Sequence, residues 1–111
     1  MNLQELEELK EFNELDMLYK IIDKAQSIKK RIEKITKGEK GNKSAGVDVR
    51  KAMQDIRLMS EIIRDEVQRR KFPNEPAENS KLYKAIEDEK KRLEREEKRI
   101  KQIEEKRIAQ R

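Results

Sequence analysis

Nine basic residues crowd around one glycine-containing turn. Lys29, Lys30, Arg31, Lys34, Lys37, Lys40 and Lys43 approach and enter it, and Arg50 and Lys51 follow it. Glu33, Glu39 and Asp48 are the only acids among them. Ammonium and guanidinium groups at this density suit phosphate oxygens, a contact that carries no base identity. The competing reading is a solvated face balanced by neighbouring acids, and so few local acids favour binding of a polyanion.

The segment Gly38-Glu39-Lys40-Gly41-Asn42-Lys43-Ser44 invites comparison with a phosphate-binding loop, which requires Gly-x-x-x-x-Gly-Lys-Ser/Thr after a strand. Asn42 stands in the place of the last glycine, the glycines are three apart, and the preceding segment reads as helix. The glycines therefore serve to turn the chain between two helices. Free backbone N–H groups at the start of the second helix, beside Lys40 and Lys43, also suit a phosphate oxygen.

Other chemistry finds little material. The chain has no Cys and no His, which removes disulfides, the usual zinc patterns and Ser-His or Cys-His nucleophiles. The acid pairs Glu7-Glu8, Asp65-Glu66, Glu96-Glu97 and Glu104-Glu105 lack apolar surroundings that would raise a carboxyl pKa. Met53 and Met59 read as packing residues, and Tyr19 and Tyr83 as core-edge residues rather than a base-stacking platform. The expectation is a protein that is not an enzyme and takes no cofactor or metal.

Long helices must carry these groups. Of 111 residues, 48% are charged and 33% apolar, with 29 Lys+Arg against 24 Asp+Glu and a net charge of +5. So little apolar material makes either a disordered chain or helices with charged outer faces. Residues 1–20 carry a net −4 and residues 24–43 a net +6. Asn2 followed by Glu5 reads as a capping box. Leu15, Leu18, Ile22, Ala25, Ile28, Ile32 and Ile35 step by three or four, as do Val49, Met53, Ile56, Met59, Ile63 and Val67. The threefold steps of Leu3, Leu6, Leu9 and Phe12 drift around the axis, so the first helix should bend or restart near Asn13, with Asp16 three residues on.

The expected fold is all-α: residues 1–71 form an antiparallel helical hairpin, with a helix over about 3–36, a turn over 37–43 and a helix over about 44–71. Residues 72–80, with Pro73 and Pro76, form a linker, and Asn79 or Ser80 caps a charged helix over 81–111. In that last helix Leu82, Ile86, Leu93, Ile100, Ile103 and Ile108 are thinly spaced. A solvated or loosely packed helix is favoured over a coiled-coil seam. A two-helix hairpin of this size is marginal alone, so a dimeric or larger bundle is expected. The first residues show no basic start and no apolar run, so no signal peptide or membrane span is expected. The expected location is inside a cell, at the nucleoid, or in a virus particle.

At Lys40-Gly41-Asn42-Lys43-Ser44-Ala45-Gly46 and the following Val47-Asp48-Val49-Arg50-Lys51-Ala52, the chain resembles the bacterial linker-histone-like proteins, small lysine-rich DNA condensers known from chlamydiae and relatives. The resemblance covers roughly residues 15–71. It implies sequence-independent binding and compaction of duplex DNA by a homo-oligomer, and places Lys40, Asn42, Lys43, Arg50 and Lys51 at or near the family's turn motif. Two departures stand out: the family's long Lys/Ala/Pro-rich tail is replaced by the mixed-charge segment 81–111, and the acidic N-terminal segment is extra. A structural or adaptor protein of a larger assembly, such as a phage virion with capsid proteins as partners, is the alternative.

Overall fold

In a computed structural model, the chain is described over residues 1–38 and 42–110, with only the backbone at 42 and 43. Every regular element among these residues is helical: α1 (Leu3–Glu8), α2 (Glu14–Thr36), α3 (Asn42–Arg69) and α4 (Lys81–Ala109), with 3₁₀ turns at Leu9–Glu11 and Ala77–Asn79.

Local chemistry sets where the helices start. Asn2 Oδ1 accepts from the Glu5 amide at 2.8 Å, and Glu5 Oε1 accepts from the Asn2 amide at 3.2 Å. The same reciprocal cap recurs at Asn13 and Asp16, at 2.8 and 3.2 Å. It forms because Phe12 and Asn13 are extended, at φ −95° and −83°, so the chain stops after the 3₁₀ turn and a new helix begins. The expected restart near Asn13 is therefore a complete break. Lys20 Nζ lies 5.3 Å from the Phe12 ring centroid, bracing the corner.

At its far end α2 closes on Gly38, whose φ of +67° is the left-handed conformation that suits a glycine after a helix. Its amide donates to the Ile35 carbonyl at 3.1 Å. Beyond the turn α3 returns along α2. Ion pairs between Arg31 and Asp48, Lys24 and Asp55 (2.9 Å), and Glu14 and Arg70 (2.7 Å) fix the antiparallel register from tip to base.

The linker is tied down by Arg69, whose guanidinium donates to the carbonyls of Glu75 and Pro76, both at 3.0 Å. Ser80 caps α4 by accepting from the Tyr83 amide at 3.1 Å, and Asp65 accepts from the Lys81 amide at 2.9 Å. Two carboxylates, Asp65 and the Glu61 that pairs with Lys81 Nζ at 3.2 Å, thus sit at the positive end of the α4 dipole.

One core gathers all four helices at the hairpin base. Leu6 and Leu9 come from α1 and its 3₁₀ extension, Met17 from α2, Met59 and Ile62 from α3, and Leu82 and Ile86 from α4. The acidic N-terminal segment does not stand away from the hairpin. It folds back, and the Met1 amino group reaches Asp55 at 2.8 Å.

The covered face of α2 differs from the apolar stripe expected of it. Met17 and Ile28 are buried and Ile21 half-buried, while Leu15, Leu18 and Ile22 are exposed. Two adjacent faces of α2 are apolar, and periodicity alone does not choose between them. The one carrying Met17 and Ile21 lies against the core. On α3, Met59 is buried as read, but Met53 is 41% exposed. Tyr19 is exposed on α2 and not a core-edge residue.

The molecule is extended and flat, 60 × 48 × 16 Å along its principal axes. Its radius of gyration is 18.7 Å, against about 13 Å for a compact chain of this length.

Candidate nucleic-acid interface

The ion pairs across the hairpin decide which basic residues meet. With Arg31 opposite Asp48 and Lys24 opposite Asp55, Lys29 and Lys30 fall level with Arg50 and Lys51. Lys34 and Lys37 lie further toward the tip, so the run from Lys29 to Lys37 covers roughly 12 Å of helix at about 1.5 Å per residue.

Lys29, Lys30, Arg31, Lys34, Lys37, Arg50 and Lys51 are all exposed. The lysines of α2 point to the open end of the hairpin, whereas Lys51 borders a groove lined by Met1, Asn2 and Glu5 and by Glu89 and Arg92 of α4. Arg31 is partly occupied by Asp48, which lowers its share of the free positive charge. Among the described residues, Lys29, Lys30, Lys34, Lys37, Arg50 and Lys51 have no carboxylate within 4 Å, which leaves their charges to the solvent. Lys40 lies outside the described residues, as do the side chains of Asn42 and Lys43.

The Arg50 guanidinium folds back over Gly46, 3.9 Å from where a Cβ on that residue would stand.

Further down the hairpin the electrostatics change character. Asp55 is held by two cations, the Met1 amino group and Lys24. Partial burial works to raise its pKa, and the hydrogen bonds and charges of these two partners outweigh that and hold it below its ordinary value. Lys24, the first base of the positive segment 24–43, is therefore spent on holding the fold. Sequence reasoning missed Asp55 because its partners lie 54 and 31 residues away along the chain.

The arrangement can attract and hold a polyanion. Among the described residues no group of three or more acidic side chains is placed to hold a metal ion. No described helix is long and apolar enough to cross a membrane.

The chain matches the family described as "Histone H1-like protein Hc1" over residues 4–72, from α1 through α2 and α3 to the start of the linker. Comparisons with curated proteins and with solved structures find no match.

Proposed function

The chain belongs to the histone H1-like Hc1 family, and on that premise we propose that it binds duplex DNA without sequence preference, through phosphate contacts at the basic hairpin tip. Family membership supports the DNA-binding, histone-like role itself. The finer reading rests on one observation: Lys29, Lys30, Lys34 and Lys37 of α2 and Arg50 and Lys51 of α3 are exposed and share the end of the hairpin. Lys40, Asn42 and Lys43 stand between these two runs in the sequence and are included in the proposal on that ground alone. The role is structural rather than catalytic, and its place is the nucleoid.

Binding driven by phosphate neutralisation weakens with salt, with log affinity falling about 0.9 per phosphate for each decade of salt. In a titration of random duplex DNA at several salt concentrations the tip should contribute about −4 to −6 to the slope. Replacing Lys37, Lys40, Lys43, Arg50 and Lys51 with Gln should flatten it, and an unchanged slope removes the tip from the interface.

A second reading, a homo-oligomeric or adaptor role in a larger assembly such as a virion, is favoured by exposed apolar residues on both long helices. Leu15, Leu18 and Ile22 on α2 and Met53 and Val67 on α3 are all more than 40% exposed, and burying such residues is what helix association rewards. Sedimentation of the protein alone and of Leu18→Gln/Ile22→Gln separates the readings. Assembly lost with DNA affinity intact supports the adaptor role.

A further inference from the structure

The outer half of α4 lies beyond the residues that match the family, and no element packs on it: every residue from Lys90 to Gln110 is exposed. Its charges are nonetheless sorted. At 100° per residue, Lys84, Lys91, Arg95, Lys98, Arg99 and Lys106 fall within an arc of about 100°, with Asp88 the one acid inside it. The opposite side carries the buried Leu82 and Ile86, then Leu93 and Ile100, interleaved with Glu89, Glu97 and Glu104.

The ion pairs follow the same division. Arg92 is engaged by Glu89 at 2.6 Å and Glu96 at 3.2 Å, Lys90 by Glu87 at 3.7 Å and Lys81 by Glu61 at 3.2 Å. Lys81 also falls within the arc and is taken by Glu61; among the described residues, none of the other six bases of the arc has a carboxylate within 4 Å. Of the eight acids of α4, Asp88 lies inside the arc, Glu87, Glu94 and Glu105 flank it, and Glu89, Glu96, Glu97 and Glu104 lie beyond it, so unpaired cations line the arc itself.

The direction of α4 adds to this. It starts beside Asp65 and Glu61, and by Glu89 and Arg92 it borders a groove with Lys51 and Asp55. Between Lys81 and Arg92 it therefore passes α3 in the opposite chain direction.

We infer that the outer face of α4 is a second, separate phosphate-binding surface for duplex DNA, formed by Lys84, Lys91, Arg95, Lys98, Arg99 and Lys106. The inference rests on duplex DNA being the partner of the chain. From Lys84 to Lys106 the stripe is roughly 33 Å long at about 1.5 Å per residue, close to the roughly 34 Å of one duplex turn. A duplex offers a phosphate about every 1.7 Å of its axis, so a straight basic helix finds acceptors along its whole length. The stripe has no aromatic residue, which sets it apart from single-strand surfaces that stack bases.

The test compares three variants of the full chain against the unaltered protein, by fluorescence anisotropy with random-sequence duplex DNA over a salt series. The stripe variant carries Lys91→Gln, Arg95→Gln, Lys98→Gln, Arg99→Gln and Lys106→Gln. The tip variant carries Lys29→Gln, Lys30→Gln, Lys34→Gln and Lys37→Gln. The control carries Lys10→Gln, Lys20→Gln, Arg64→Gln and Lys71→Gln, which lie on neither surface. Gln is close to Lys and Arg in helix propensity, so the folded state should persist, and circular dichroism verifies it. The stripe variant should lose about 3 to 4 from the magnitude of the salt slope, at about 0.9 per phosphate contact given up, while the control loses less than about 1. Replacing Lys91, Lys98 and Lys106 with Arg should keep the slope.

A stripe variant that retains its slope, or loses no more than the control, overturns the inference and leaves the tip reading to be judged by its own variant. A tip variant that retains its slope while the stripe variant loses it removes the tip and keeps the stripe. Absence of duplex binding by the unaltered protein defeats both. A loss confined to single-stranded DNA overturns the duplex assignment.

Discussion

The base and the tip of the hairpin are made from the same two helices, yet they are held in different ways. At the base, α1 and α4 close over α2 and α3, and Leu9, Met59 and Ile62 are fully buried. At the tip only two helices meet, Ile32 and Ile35 are each 37% exposed, and lysines stand beside them. Like charges repel most where the packing is thinnest, so the base must hold the tip together. The division teaches that stability and charge have been placed in different halves of one hairpin. Substitutions at one end should hardly be felt in the property that belongs to the other.

The largest effect should come from the base. Met59→Ala and Ile62→Ala should each cost about 2–5 kcal/mol in urea unfolding, the range for deleting a buried large aliphatic side chain. Ile32→Ala at the tip should cost less than about 1 kcal/mol. Equal losses at the two ends would break the comparison.

Asp55 marks the boundary between the halves and should give an intermediate effect. Asp55→Asn should cost about 1–2 kcal/mol near neutral pH, the scale of a charge-assisted hydrogen bond network losing its charge. Because the folded pKa lies below the ordinary value of 3.8, the contribution is complete above that pH and is lost as the pH falls below it. The Asn variant should therefore lose less stability on acidification than the unaltered chain, as read from thermal unfolding between about pH 2 and 6. A steeper acid loss in the variant would place the boundary elsewhere.

The smallest stability effect belongs to the tip. Changing Lys29, Lys30, Lys34 and Lys37 to Gln should move the unfolding free energy by no more than about 0.5 kcal/mol. Relief of repulsion should make the change favourable at low salt. A loss above about 1 kcal/mol would show that these lysines also hold the fold.

What could be read from the sequence divides along the same line. The caps at Asn2, Asn13 and Ser80 were legible because a cap is complete within four residues. The way α1 folds back was not legible, since the path after Asn13 depends on a core whose members lie up to 80 residues apart, from Leu6 to Ile86. Nor was the choice of Met17 over Leu18 as the inward residue on α2, because both belong to apolar faces and only the neighbours decide. For the site, clustering of the bases was visible in sequence, whereas their register across the hairpin waited on Arg31–Asp48 and Lys24–Asp55. On α4 the composition hid the basic stripe: its bases are interspersed with acids in sequence and line up only when wound at 3.6 residues per turn.

The packing of α1 against α4 has a consequence for the order of assembly. Leu6 and Leu9 are made first, and their partners Leu82 and Ile86 some eighty residues later. The α2–α3 hairpin closes a short loop and can form quickly, whereas joining the two ends of the chain is the costliest closure. During synthesis, then, the N-terminal leucines remain wet until α4 has emerged, and the hairpin waits without its lid. A chain shortened before Ile86 should stay loosely packed however well its helices form. One cut after Arg92 keeps both core residues of α4, so the outer half of that helix can be removed for study with the core intact.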